Sequence, residues 1–217
     1  MEKLSKDQIA AAGLADWRSL AQGLHARFRI PDFTVGAQFV TAVAALAEER
    51  NHHPDLRMTY GVIDVRVVTH EAGQWVTDLD TELAARISET AAGLGLAADP
   101  AAVVQLELAL DSADAAGLGP FWSALLTGAP DNTVFDSVFD PTGRVPAMWF
   151  QETDSTAPDR QRWHFDLWVA PEEADGRIAA ALAVGGSVVD DSEAPSFTVL
   201  ADSDGNRVCV CTSLDRD

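Results

Sequence analysis

Residues 103–211 carry one pattern twice. The alternating segment Val103–Leu110 runs into apolar residues at helical spacing (Phe121, Trp122, Leu125, Leu126) that close at Gly128. About 58 residues on, Trp163–Val169 runs into Ile178, Ala181 and Leu182, closing at Gly185-Gly186. Short strand candidates follow each helix: Thr133–Phe139 and Ala147–Glu152, then Ser187–Asp190, Phe197–Ala201 and Arg207–Cys211. One such unit cannot bury its apolar face alone, so the repeat predicts paired βαβββ modules.

The first half follows another plan. Ser5 can cap a short helix reaching toward Ala15, and Trp17 to Ile30 reads as a hairpin turning at Gln22-Gly23. Pro31-Asp32 starts a helix through Phe33, Ala37, Val40, Val43 and Ala47 to about Arg50. It must stop by His53, because the residue before Pro54 is pushed out of the α region. Leu56 to Thr69 predicts two strands joined near Gly61. Ile63, Val65, Val67 and Thr69 share the core face, while Val62, Asp64, Arg66, Val68 and His70 share the other. Helical spacing returns from Asp78 to Leu94, and residues 93–101 read as a linker, which divides the chain into 1–97 and 98–217.

Charge supports that division. Residues 1–97 hold 9 basic and 13 acidic side chains, residues 98–217 hold 6 and 21, and there is no lysine after Lys6. A net charge of −19 disfavours nucleic acid and anionic lipid as partners. No apolar run approaches the ~18 residues of a membrane span, and the start lacks a signal-like apolar region, so a cytoplasmic protein is expected. Cys209 and Cys211 are expected as small buried side chains rather than a disulfide or a zinc site.

Three of the five histidines fall within 19 residues, as Asn51-His52-His53-Pro54 and Thr69-His70-Glu71. One group ends a helix and the other a strand, where a rigid scaffold presents reactive groups. Histidine exchanges protons near neutral pH, so the trio suits acid–base chemistry without a metal. Adjacent residues of extended chain point opposite ways, which argues against His52 and His53 sharing one ion.

The run Glu48-Glu-Arg-Asn-His52-His53-Pro54 to Tyr60, then Val-Val-Thr69-His70-Glu-Ala-Gly73, then Asp80-Thr-Glu-Leu83-Ala-Ala-Arg86-Ile87, resembles the pterin-4a-carbinolamine dehydratase family over about residues 4–92. The resemblance implies an α+β fold with helices on one face of a four-stranded antiparallel sheet. It implies dehydration of 4a-hydroxytetrahydropterin to the quinonoid dihydropterin, with no cofactor and no metal. By position, His52, His53, His70 and Asp80 match the family's catalytic residues. Glu48, Pro54, Tyr60 and Thr69 fall at substrate-binding positions, and Trp75 lies in a loop that departs from the family pattern and could close over the pterin. A homo-oligomer, most simply a dimer, is the expected assembly.

Residues 103–212 resemble glyoxalase-like members of the vicinal-oxygen-chelate superfamily through Phe121-Trp122-Ser-Ala-Leu-Leu, Trp163-His164-Phe165-Asp166-Leu167, and Phe197 to Cys211 with Asp202, Gly205 and Asn206. The positions where metal-using members place ligands hold Gln105, Gln151, His164 and Arg207, and an arginine there opposes a cation. The expectation is a metal-free pocket for an unknown small ligand, lined by Trp122, Trp149, Trp163 or Trp168. Two alternatives stay open: pterin or metabolite binding, or dimerisation, without catalysis; and an activity residing in the second half.

Overall fold

The computed structural model describes residues 2–112, 115–153, 163–183, 186–201 and 207–216. Gly185, Asp202, Gly205 and Asn206, and the side chains of Phe121 and Leu125, lie outside the described residues. The chain divides into two compact units, 1–103 and 104–216.

The first unit opens with α1 (Lys6–Ala11), capped by Ser5 and Gln8 in a reciprocal capping box. Strands β1 (Trp17–Ser19) and β2 (Leu24–Arg29) form the expected hairpin. Gly23 sits at its turn with φ +81°, and a Cβ there would strike the Val67 carbonyl. Helix α2 (Phe33–Arg50) starts at Asp32, whose carboxylate accepts from the Val35 N–H at 2.9 Å. Strands β3 (Asp55–Thr59) and β4 (Val62–Val67) pair antiparallel, followed by α3 (Asp78–Gly93). The sheet order is β1-β2-β4-β3.

The 93–101 stretch is more than a linker. Ala97–Ala98 forms β5, which pairs with β2 at Phe28 and Arg29. Two alanines carry no strand signature, and the pairing comes from the exposed edge of β2 beyond the short β1. The first unit therefore runs past residue 97, and the division falls at 103/104.

The core of this unit lies between the sheet and α2 and α3. Phe28, Phe39, Val43, Ile63, Val65, Leu83 and Ile87 meet there, nearly all fully buried. Gly36 lets α2 approach the sheet, since a Cβ would fall 2.6 Å from the Met58 sulfur. On the opposite face Arg27 grips Asp64 in a two-pronged ion pair. Val68, expected with Asp64 and Arg66, is instead buried beside Gly23, because regular pairing of β4 ends at Val67.

The second unit holds β6 (Val104–Ser112), α4 (Ala115–Thr127), β7 (Thr133–Val134), β8 (Ser137–Val138), β9 (Met148–Glu152), β10 (Trp163–Val169), α5 (Ala174–Ala183), β11 (Ser187–Asp190), β12 (Phe197–Ala201) and β13 (Arg207–Cys211). One sheet takes the order β11-β12-β13-β10-β6-β9-β8-β7. β6 runs parallel to β9, β10 runs parallel to β13, and β6 meets β10 antiparallel at the centre. This is the paired βαβββ arrangement. α4 covers Leu110, Met148 and Phe150, and α5 covers Val169, Leu200 and Val210. Among the described residues no helix is long and apolar enough to cross a membrane.

Candidate active site

At the end of α2 the backbone turns left-handed at Asn51 (φ +47°), and the His52 N–H returns to the Ala47 carbonyl at 3.0 Å. That turn sends adjacent rings to opposite sides. The His52 side chain is 8% exposed and that of His53 56%. The next residue, Pro54, is half-buried and leads into β3.

His52 donates from Nε2 to Asp80 Oδ1 at 2.8 Å. Asp80 is the third residue of α3 and fully buried. Its Oδ2 accepts from the Thr77 N–H and from Thr69 Oγ1, both at 2.7 Å. One carboxylate thus ties together the end of α2, the end of β4 and the start of α3, with its lone pairs met by donors. His53 donates from Nε2 to Glu48 Oε1 at 3.0 Å, one turn back on α2.

His70 is exposed, in a short 3-10 turn (His70–Ala72) after β4. The loop is clamped by a bridge between Thr69 and Trp75 and turns through Gly73 (φ +86°) and Gln74 (φ +67°). Gln74 Nε2 lies 2.9 Å from His70 Nδ1, and Arg66 Nη2 donates to Gln74 Oε1 at 3.2 Å. The alternation of the strand puts Arg66 on the same face as His70, but sequence reasoning gives Gln74 no role; its sign is the spacing of four residues after His70.

The structure therefore gathers His52, Thr69 and Asp80 in one network, holds His53 on Glu48, and sets His70 next to Thr69. Tyr60 stands apart. It is 96% exposed in the β3–β4 turn, at the Thr59–Val62 end of a hairpin whose other end is the Asp55–Arg66 pair. It does not join the histidines of its own chain, because four residues of strand separate the two ends by roughly 13 Å. Trp75 is half-buried, with the Lys3 ammonium 3.7 Å over its ring.

The second unit has a cleft of about 790 Å³ on the sheet face away from its helices. Trp149, Trp163, Gln151, His164 and Arg207 line it. Two of the expected tryptophans do not. Trp122 packs edge-on to Trp163 on the helix side, and Trp168 is buried with its indole N–H on Glu107 at 2.9 Å. His164 lies 3.8 Å from Asp111 and 3.6 Å from Asp166, and the Trp149 indole donates to Asp166 at 2.9 Å.

Cys209 and Cys211 are free thiols on this cleft face, Cys211 buried as expected and Cys209 half-buried. Burial, reinforced by Asp166, pushes the Cys209 thiol up to about 12 and the Cys211 thiol higher still. Donor atoms of His164, Asp166 and Cys209 lie within 4.8 Å of one another, close enough to hold an ion. Of the four positions named from the sequence resemblance, Arg207 offers only donors and so opposes a cation.

A family model for pterin 4 alpha carbinolamine dehydratase matches residues 2–90, and one for a glyoxalase-like domain matches residues 107–211. A provisionally named pterin-4-alpha-carbinolamine dehydratase of Mesorhizobium japonicum is 42% identical over 91 residues, which are 40% of this chain and 92% of that protein. A similarly named protein of Mycolicibacterium smegmatis is 37% identical over 90 residues, 41% of this chain and 95% of its own. A crystal structure of a transcriptional coactivator/pterin dehydratase from Brucella melitensis is 26% identical, covers 42% of this chain and 99% of that one, and has a TM-score of 0.40. Through its first unit the chain belongs to the pterin 4 alpha carbinolamine dehydratase family, and a glyoxalase-like domain follows it.

Proposed function

We propose that the first unit dehydrates a 4a-hydroxytetrahydropterin to the quinonoid dihydropterin, and that the second holds a small metabolite in its cleft. The observation that carries the first reading is the arrangement of three histidines, each with a different polar partner, around the junction of α2, β4 and α3. In the reaction the C4a–O bond breaks and the N5=C4a bond forms. The departing hydroxyl takes a proton and leaves as water, and N5 gives one up. His53 and His70, both exposed, are the rings that reach substrate. Glu48 backs His53, so this pair can hand on a proton and recover it from solvent. His52 and Asp80 serve from below by fixing the backbone on which His53 and His70 ride. Pro54 and Thr69 border the same junction.

The test is a dehydration assay with synthetic 4a-hydroxytetrahydropterin on the full chain. Wild type should exceed the uncatalysed rate, and His53→Ala and His70→Ala should each lose ~10²-fold or more in kcat. A wild-type rate equal to the uncatalysed one defeats the reading and leaves a pterin-binding or assembly module. His52→Ala is a poor probe here, since it also strips a buried carboxylate of its partner.

A further inference from the structure

His70 is an exposed ring, yet its tautomer is tightly specified. Arg66 is a donor only, and its fork is held by the Asp55 carboxylate at 2.9 Å and the Gln22 carbonyl at 3.3 Å. The remaining arm points at Gln74 Oε1, which settles the amide's orientation: oxygen toward Arg66, NH₂ toward His70. An NH₂ group can only donate, so His70 Nδ1 must accept, and the ring proton sits on Nε2. Gln74 holds this position with φ +67°, a backbone conformation that disfavours any residue with a Cβ. A left-handed glutamine next to a candidate reactive ring is strain of the kind found at functional sites.

We propose that Gln74 is a positioning residue that locks His70 as the Nε2–H tautomer, so that His70 meets the pterin as a hydrogen-bond donor to the departing hydroxyl and not as the base that deprotonates N5. This rests on the dehydratase reading above. With Nδ1 occupied and Nε2 already carrying a proton, His70 has no lone pair facing substrate. The base role then falls to the His53–Glu48 pair, where a carboxylate stands behind the ring instead of an amide donor. That pair takes the N5 proton and passes it to solvent, and solvent gives the departing hydroxyl the proton with which it leaves as water, while neutral His70 contributes a hydrogen bond and keeps its own proton. The relay Asp55–Arg66–Gln74–His70 crosses from β3 and β4 into the loop, so the sheet itself sets the ring's orientation.

The deciding experiment records long-range ¹H–¹⁵N spectra of the full chain carrying ¹⁵N-histidine, for wild type, Gln74→Gly and Gln74→Glu, beside dehydration kinetics. Glycine removes the amide and suits the left-handed backbone, so folding is spared. Glutamate replaces the donor with an acceptor. Wild type should show the His70 proton on Nε2, Gln74→Gly a mixture, and Gln74→Glu the proton on Nδ1. In Gln74→Gly kcat should fall about tenfold with KM within about twofold, short of the loss expected for removing the ring. A wild-type proton on Nδ1, identical His70 spectra in wild type and Gln74→Gly, or full kcat in Gln74→Gly overturns the inference. If wild type fails to dehydrate the pterin at all, the catalytic reading falls, and the spectra alone uphold or overturn the assignment of the His70 proton to Gln74.

Discussion

The two units place their histidines in opposite settings. In the first, His53 and His70 stand at the ends of a helix and a strand, exposed, each with one defined polar neighbour. In the second, His164 sits mid-sheet, among Asp111, Asp166 and a thiol pushed up by burial. Groups at element ends keep access to water and can exchange protons rapidly. Groups on the face of a central strand meet a crowded, partly dehydrated surface, where holding a ligand by shape and hydrogen bonds is easier than cycling a proton. The contrast teaches that an inventory of reactive residue types says less about chemistry than their position on the scaffold.

The largest effect that could break this comparison is kinetic. His70→Ala should cost dehydration 10²–10⁴-fold in kcat while leaving thermal unfolding nearly unchanged, and Asp166→Ala should leave dehydration as it is. If the Asp166 change abolished turnover, the active centre would move to the second unit. A chelator supplies a related check: dehydration should survive dialysis against EDTA, and metal-dependent turnover would point instead to His164, Asp166 and Cys209.

The next effect is on stability. Asp80→Ala leaves His52, Thr69 and the Thr77 N–H facing a void, so denaturant unfolding of the first unit should lose about 3–5 kcal/mol. A loss within experimental error would show that the network is dispensable and that His52 is free to act on substrate directly.

A smaller effect separates the units by pH. No lysine or tyrosine lies after Tyr60, so in the second unit the two thiols are the side chains whose protonation differs between the unfolded and folded chain from about pH 9 to 12. The Cys209 thiol sits at about 12 when folded, against an ordinary value of 9.0. The unfolded thiol thus releases its proton first, and the stability tied to the buried thiol is full below about pH 9 and declines as pH rises toward 12. Melting of the second unit followed by tryptophan fluorescence should fall over that window, and Cys209→Ala with Cys211→Ala should flatten it.

The smallest effect is local. The Thr142 hydroxyl first, and then the N–H groups of Thr142, Arg144 and Val145, donate to Asp140 and hold its carboxyl down to about 2. Its contribution is present above 3.8 and lost as pH falls through about 2. Asp140→Ala should cost about 1 kcal/mol, read as a modest drop in the second unit's melting temperature.

Much of the fold was legible because apolar spacing is a local property. Period-two runs at 62–69 and 163–169 and helical spacing at 33–50 mark which face each segment must bury. The repeat in the second half carried its topology in outline, since each βαβββ unit needs another to close its core. The His52-His53-Pro54, Thr69-His70 and Asp80 constellation marked where proton chemistry could sit.

Partnership was decided only in three dimensions. Asp80 is 28 residues from His52, and Glu107 is 61 residues from Trp168, and no periodicity predicts either bond. Ala97–Ala98 became a strand because β2 had an edge to fill. Tyr60 left the site because strand register carried it to the far end of the hairpin. Cys209 and Cys211 went to the cleft because Val208 and Val210 took the helix face. Burying apolar surface is non-directional and can be read from composition along one element. A hydrogen bond tolerates a few tenths of an ångström, so its partners are chosen only once every element has been placed.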